Sequence, residues 1–400
     1  MIARPATSST LKEINLRTVL DVIRTAPPVS RAEIARRTGI SKPTVSALLQ
    51  DLLEMGLVSE TVREELGPTY GALFFAPRPE AAHVLALDVG ARRLRGAVAD
   101  LEGVVHIRRD VPVEGMQAGQ VVAAATTLAE ELCTEAGIDR SALQHAAVGV
   151  PGVVDRRDGR IWQATNVPAL DGFQARDAFE AALSLPVTVE NDIHLAALGE
   201  QRHGTKSGTG TDAESFAFLS VGTGVGAGLI LHGELHRGFA GAAGELDCAQ
   251  DPDTFDDNDP CAAALLQFAA RRLSGHPLLG GNAGKEVSTE QVFDLARAGD
   301  PDAAAVVDEE VRRIVGYLAT LAAVVDVELV VLGGGIGLNG DLLLPRVSER
   351  LAGRVPYPPR VAVSALGDAA VLSGAVAVAT RAALEQILSV RFGVAGRRRA

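Results

Sequence analysis

Pro186-Val187-Thr188-Val189-Glu190-Asn191-Asp192 is the stretch on which the reading of this chain turns. Val187-Thr188-Val189 is a short β-branched run with the character of a buried strand, and a small-residue helical pattern follows Asp192 to about Arg202. Polar groups at the carboxyl end of a strand, beside a helix N-terminus, are where open α/β sheets build ligand sites. Asn191 both donates and accepts hydrogen bonds, and Asp192 is able to take a proton from a hydroxyl. The plainer reading makes the pair an Asx cap on the helix and nothing more.

Three glycine turns elsewhere fit the same plan. Val84 to Gly90 reads as a buried strand running into a turn that carries Asp88 and Gly90. A second strand, Leu94 to Asp100, returns through Glu102-Gly103 to a third, Val104 to Val111. A strand, an Asp-x-Gly turn and a hairpin suit the first phosphate loop of a ribonuclease-H-like, actin/hexokinase-type α/β body of two lobes. A helix from about Gln117 to Ala136 and a strand from Ala146 to Val150 follow. Asn166, in the next loop, offers a side-chain amide to a polyol.

Val221-Gly222-Thr223-Gly224-Val225-Gly226-Ala227-Gly228 is the strongest glycine signal, placed after a strand from Phe216 to Ser220. Glycines let backbone N–H groups approach a phosphate, and Thr223 adds a hydroxyl. No Gly-Lys-Ser/Thr follows, so this is not a P-loop, and a strand rather than a helix follows, so it is not a dinucleotide fingerprint. A ligand-free glycine hairpin is the plainer alternative. Gly241-Ala242-Ala243-Gly244-Glu245 comes next, with Glu245 a candidate acceptor for a hydroxyl. The third turn, Gly333-Gly334-Gly335, is placed to pass beneath an adenine. A long helix beginning near Gly367 is expected to pack back on the first lobe, and Arg397-Arg398-Arg399 to fray.

Four hundred residues exceed one ordinary domain, and 47% apolar content is ample for large cores. No apolar run reads as long and uncharged enough to span a bilayer, the start lacks a signal-peptide core, and Cys133, Cys248 and Cys261 form no Cys-x-x-Cys. These features suit the reduced cytoplasm, with no membrane partner. The net charge of −12 is uneven: residues 1–50 hold eight Arg and Lys against three Asp and Glu, a balance of +5 that leaves −17 to the rest. Only the head is suited to DNA.

Residues 10–78 read as that head. Thr10-Leu11-Lys12-Glu13 has the form of a capping box before a helix with the stripe Leu16, Val19, Leu20, Ile23, which Pro27-Pro28 stops. A second box, Ser30-Arg31-Ala32-Glu33, opens a short helix with Arg36 and Arg37, turned by Gly39. Ser41 caps a third, whose buried stripe of Val45, Leu48, Leu49, Leu52 and Leu53 leaves Lys42, Thr44, Ala47 and Gln50 outward. Two strands about a turn at Gly67-Pro68 complete a helix-turn-helix with a two-stranded wing, and Pro77 and Pro79 mark a linker. Ser41, Lys42, Thr44 and Gln50 are candidates for the major groove, and Arg36 and Arg37 for the phosphate backbone. Helical triplets also serve as protein-interaction modules. The head resembles the winged helices of bacterial one-component regulators through Val29-Ser30-Arg31-Ala32-Glu33-Ile34-Ala35 and Gly39-Ile40-Ser41-Lys42-Pro43-Thr44-Val45-Ser46.

Residues 84 to about 385 resemble the ROK family of sugar kinases and repressors, through the stretch from Gly222 to Glu245 and through Val189-Glu190-Asn191-Asp192. The winged head points to the repressor branch. The resemblance implies a first lobe of residues 84–190 plus about 372–395 and a second of 191–371. It implies that Asn166, Asn191, Asp192 and Glu245 contact a sugar or sugar phosphate, that Asp192 is the base of an active kinase, and that the chain is a homodimer or homotetramer. Nucleotide, as ATP with magnesium, would fall to Asp88, Gly90, Gly222, Thr223, Gly224, Gly333, Gly334 and Gly335. Two departures matter. Asp88-Val89-Gly90-Ala91-Arg92 replaces the Asp-x-Gly-Gly-Thr of family kinases, which disfavours turnover. Glu245-Leu246-Asp247-Cys248 and a single further cysteine, Cys261, replace the family's His and cysteine cluster, so structural zinc is not expected. Asp251, Asp253, Asp256, Asp257 and Asp259 lack an EF-hand pattern and read as a solvated loop. The expectation is a sugar-responsive regulator, with a DNA-tethered hexose kinase as the alternative.

Overall fold

The apolar stripe of the first helix, α1 (Ser8–Thr25), buries Leu16, Val19, Leu20 and Ile23. A computed structural model describes residues 8–61, 73–207, 213–249, 255–273 and 287–391. The helix starts ahead of the expected capping box, and the Glu13 carboxylate reaches forward to Arg17 at 2.8 Å. In α2 (Arg31–Thr38) the Ser30 hydroxyl accepts the Glu33 N–H, and Gly39 closes the helix at φ 70°, a conformation that favours glycine. In α3 (Lys42–Glu54) Ser41 caps Thr44, and Val45, Leu48, Leu49 and Leu52 face inward. Among the described residues three strands, not two, complete the head: β1 (Val29–Ser30), β2 (Val58–Thr61) and β3 (Phe74–Pro77), in the order β1-β3-β2. The extra strand is the two-residue bridge before α2, too short to show a period in sequence. The Gly67-Pro68 turn lies outside the described residues.

Two further sheets follow. The first comes from β4 (His83–Val89), β5 (Arg93–Asp100), β6 (Val105–Pro112), α4 (Ala118–Ala136), β7 (Leu143–Val150), the ribbon β8 (Val153–Val154) and β9 (Ile161–Trp162), α5 (Ala175–Leu183), β10 (Val187–Asn191) and α6 (Asp192–Ser207). The second comes from β11 (Phe216–Val221), β12 (Val225–Leu231), β13 (Glu234–His236), α7 (Phe255–Asn258), α8 (Ala262–Arg272), α9 (Thr289–Arg297), α10 (Pro301–Val324), β14 (Leu329–Gly333), α11 (Gly334–Gly337), α12 (Gly340–Ala352), β15 (Arg360–Val363) and α13 (Ala370–Arg391). Their orders are β10-β7-β4-β5-β6 and β13-β12-β11-β14-β15, the same path drawn twice: an antiparallel triplet, then two parallel strands. This is a two-lobed α/β body of the actin/hexokinase type, with a helix-turn-helix at its N-terminus.

Between the sheets lies a layer of two helices. Leu372, Ala375, Val376 and Ala379 of α13 join one buried cluster with Ala86, Ala97 and Ala147 of the first sheet, whose small side chains let the helix come close. Ala196 and Ala197 of α6 pack with Phe216, Phe218, Ile230, Leu329 and Val331 of the second sheet. Where α6 and α13 cross, a Cβ on Gly374 would run into the Leu195 carbonyl oxygen, and one on Gly199 into that of Ala370. Glycine sets this spacing. The stretch Gly367–Ser389 is, by length and composition, apolar enough to cross a membrane, contrary to the sequence expectation. Here a little under half of it is buried, against the first sheet and α6.

The head is not hung on a free linker. Leu16, Val19, Leu20 and Ile23 belong to one buried cluster with Ala82, Leu101, Ala383 and Leu388. Arg24 Nη2 donates to the Leu101 carbonyl at 2.9 Å, and Arg17 lies 3.6 Å from Glu385 of α13. Pro77 ends β3 and Pro79 opens a short 3-10 turn, while Arg78 N donates to Leu57 O and Leu101 N to Pro79 O. The presumed linker is hydrogen-bonded to both sides because the surfaces it joins are apolar and share a core.

Candidate functional site

The register of the first sheet sets Asp88 beside Gly149 and Asn191 beside Val150, so both polar residues stand at the carboxyl ends of the two strands that flank β7. Asn191 caps α6: its Oδ1 accepts the His194 N–H and its Nδ2 donates to the Gly152 carbonyl, each at 2.9 Å. The cap is therefore a fact of the fold, and it does not use up the side chain. One amide hydrogen and one lone pair remain to it. Asp192 opens the helix, half-buried, with Oδ1 accepting the neighbouring Ile193 N–H at 2.9 Å. Burial, then the charge of Asp88, push Asp192 up to about 7. A carboxyl so tuned is partly ionised near neutral pH, the state in which it can accept a hydroxyl proton.

Asp88 is only 4% exposed, and Arg95 Nη1 lies 2.9 Å from its Oδ2. Burial pushes Asp88 above the usual carboxylate range and Arg95 pulls against it. Arg95 escaped the sequence reading, which watched Arg92; Arg92 is exposed and Arg95 is the cross-strand partner of Asp88 in the β4–β5 hairpin. Counting outward from the turn would have found it. Glu245 is half-buried and likewise raised by burial, and its charge reaches Asp192. Asp88, Asp192 and Glu245 thus form one electrostatic cluster drawn from both lobes.

In the second sheet Ser220 pairs with Gly333, which sets the other two glycine turns side by side. A Cβ on Gly222 would stand 3.3 Å from Gly335 N, and one on Gly334, at φ 76°, would run into the Val221 carbonyl oxygen. Asn166, exposed, comes across from the first lobe to the same place: a Cβ on Gly224 would lie 2.6 Å from its Nδ2. Thr223 is exposed beside it. The amides of Gly90 and Gly222 donate within their own turns, to Arg93 O and Gly224 O, so neither is held out to a phosphate.

Sequence reasoning also missed Glu190, His194 and Arg237. Glu190 Oε2 lies 2.5 Å from Arg237 Nε, and Oε1 lies 3.1 Å from His194 Nδ1. The spacing of Glu190 and His194, one helical turn, was the only available signal, and Arg237 lies on another lobe. Asp251 and Asp253 fall outside the described residues. Asp259 departs from the solvated-loop expectation: it is 9% exposed, accepts the Cys261 N–H and lends its carbonyl to Arg313. Among the described residues no three His, Cys, Asp or Glu side chains are grouped to hold a metal ion.

On the head, Lys42, Thr44 and Gln50 are exposed along α3, with Ser41 Oγ 2.8 Å from Thr44 Oγ1. Arg36 is exposed but held by both oxygens of Glu33, at 2.9 and 2.6 Å, and Arg37 donates to Thr25 Oγ1 at 3.3 Å.

Comparison with known proteins agrees with this division. A model of the MarR family matches residues 17–65, the helical head. The chain is 25% identical over 392 residues to a xylose repressor of Caldicellulosiruptor bescii, covering 92% of this chain and 96% of that one. It is 27% identical over 313 residues to a glucokinase of Halalkalibacterium halodurans, covering 72% and 93%. Among solved structures, a ROK family transcriptional regulator described as a homolog of the E. coli MLC protein shares the fold at a TM-score of 0.78 and 23% identity, over 96% of this chain and 100% of that one. Residues 84–382, which contain both five-stranded sheets, the carboxylate cluster and all three glycine turns, match the ROK family model, and it is to the ROK family that the chain belongs.

Proposed function

We propose that the chain is a sugar-responsive transcriptional regulator, a repressor, whose head binds operator DNA and whose inter-lobe cleft binds a sugar or sugar derivative. The observation that carries this reading is the shared core of α1 and α13, because α13 also crosses the helix that begins at Asp192. A ligand at the start of α6 is thereby two packed helices away from the DNA-binding head. In this reading Asn166, Asn191, Asp192 and Glu245 contact the sugar, Lys42, Thr44, Gln50 and Ser41 the major groove, and Arg36 and Arg37 phosphates. Similarity across head and body to a protein named a xylose repressor supports the same branch. The protein works in the cytoplasm as a homodimer, whose two heads read paired half-sites.

A second reading, an ATP-dependent hexose kinase carrying a DNA-binding head, draws on the Asp192 carboxyl poised at about 7 and on the glycine turns at Gly222–Gly224 and Gly333–Gly335. Against it stands Arg95, which engages Asp88 in the first loop.

The test is operator affinity, measured by anisotropy on a site selected from random DNA, with and without a panel of sugars. A sugar shifts DNA affinity only by as much as it prefers one lobe arrangement, typically about 1–3 kcal/mol or 5- to 150-fold. Identical isotherms at saturating sugar overturn the reading. ADP release at about 1 s⁻¹ or faster on any sugar of the panel, abolished in Asp192→Asn, establishes the kinase instead.

A further inference from the structure

His194 sits in the first turn of α6 and is 2% exposed. Its Nε2 lies 3.0 Å from the carbonyl oxygen of Ala243. A carbonyl oxygen only accepts, so Nε2 carries a proton. Its Nδ1 lies 3.1 Å from Glu190 Oε1, which also accepts the Asn191 N–H at 3.3 Å, while Oε2 takes Arg237 Nε. A carboxylate held by a guanidinium and a backbone amide has no proton to give, so Nδ1 donates as well. A ring that donates from both nitrogens is an imidazolium.

We propose that His194 is a positioning residue whose charged form clamps the Ala243-Gly244-Glu245 turn to the helix carrying Asp192, and that sugar affinity falls when the ring loses its proton. This deepens the sugar-site reading and rests on it. A neutral imidazole keeps one N–H, which the charged Glu190 carboxylate holds more strongly than a neutral carbonyl does, so Ala243 loses its bond. The turn is stiff: Gly244 sits at φ 97°, a Cβ there would run into the Ala227 carbonyl, and Gly244 O accepts the Ala227 N–H at 3.0 Å. Displacing Ala243 therefore moves Glu245 with it.

Four charged groups face the ring: Glu190 of β10, Arg237 beyond β13, Asp192 of α6 and Glu245 of the turn. Glu190 and Arg237 offset each other, which leaves the imidazolium opposite the two carboxyls at the site. Burial pulls His194 down, the bond and charge of Glu190 with the Ala243 bond pull it up, and the upward pull wins. The clamp is fully made at low pH and is lost as pH rises through the His194 titration, which is raised from the ordinary histidine value. Asp192 runs the other way, gaining acceptor strength as pH rises through about 7. Sugar affinity should thus be bell-shaped in pH, with His194 forming the alkaline limb.

The experiment uses full-length, ligand-free protein with ¹⁵N-labelled histidine, the His194 signals being identified by their loss in His194→Gln. Both ring nitrogens should be protonated at pH 7; a neutral tautomer there overturns the proposal. Calorimetry with D-xylose and D-glucose should show wild-type affinity falling about tenfold on the alkaline limb, and His194→Gln lacking that limb. Equal alkaline limbs in the two proteins overturn the clamp. Hydrogen exchange at Ala243, Gly244 and Glu245 in ligand-free protein, corrected for intrinsic pH dependence, should rise about tenfold as His194 titrates; exchange blind to that titration also overturns it. If neither sugar binds either protein while the ring is an imidazolium and exchange follows it, the clamp stands and the sugar reading falls. His194→Asn serves if the glutamine variant does not fold.

Discussion

The two five-stranded sheets follow one path and end differently. At the carboxyl edge of the first stand side chains, Asp88 with its Arg95 and Asn191 leading into Asp192. At the corresponding edge of the second stand glycines: Gly334 leaves no space for a side chain, and Gly222 packs tightly against Gly335. Topology supplies the crevice twice over, but the chemistry is divided: one lobe offers carboxyls and the other backbone. Both lobes are needed to set the charge of Glu245 against Asp192 and the amide of Asn166 against Gly224, which makes these pairings sensitive to how the lobes sit.

What joins the lobes should be the most sensitive point. Gly374→Leu places a branched side chain against the Leu195 carbonyl, and the overpacking should destabilise the protein by about 3 kcal/mol or more, read by urea unfolding. A variant of unchanged stability would mean that the α6–α13 crossing is looser than the structure has it.

The charged edge of the first lobe should come next. Arg95→Gln leaves the buried Asp88 without its cation, at a cost of about 2–3 kcal/mol at pH 7.5, discounted because Arg95 is partly exposed. The loss should shrink as pH falls and Asp88 takes up a proton, and adding Asp88→Asn should restore most of it. A loss that is equal at pH 5 and pH 7.5 would point to packing rather than charge.

Glu245→Gln and Asp192→Asn should each weaken sugar binding by about 1–3 kcal/mol in calorimetry, and Thr223→Ala should leave it unchanged. The Asp192 carboxyl also has a stability signature. Its folded pKa, about 7, exceeds the unfolded value, so the fold holds the proton more tightly and stability falls as pH rises through that window. Asp192→Asn should therefore raise Tm at pH 8 and leave it nearly unchanged at pH 4. A variant less stable at pH 8 would show that the ionised form is favoured in the fold.

The smallest effect belongs to the head. Arg36→Ala should lower the salt dependence of operator binding by about one ion and leave the ranking of DNA sequences unchanged. Lys42→Ala, by contrast, should alter that ranking. A change of ranking in both would place Arg36 in the groove as well.

Much of this was legible in the chain. The stripe of α1, the caps at Ser30 and Ser41, and the strand-to-glycine transitions at Gly90, Gly222 and Gly333 each follow from periods and turn residues that act within a few positions. Local rules also gave Asn191 two readings, cap and ligand contact, and could not choose between them. The structure shows the cap, because the partners that fill its amide, His194 N and Gly152 O, can be counted only in three dimensions.

What tertiary structure decided alone depends on residues far apart in the chain. Arg95 rather than Arg92 meets Asp88 because register, not proximity in sequence, fixes which side chain crosses the hairpin. The proline segment reads as a linker, and it is held by hydrogen bonds on both sides because α1 and α13 share a core that neither helix displays by itself. The apolar length near the C-terminus, which the sequence reading passed over as too short or too charged for a bilayer, packs as a core helix against the first sheet and α6. Sequence determines which groups are available and how each short segment prefers to fold; the burial and like charges of Asp88 and Glu245 that push Asp192 up to about 7, and the Glu190 and Ala243 bonds that raise His194 against its own burial, arise only when separate strands and loops are brought together.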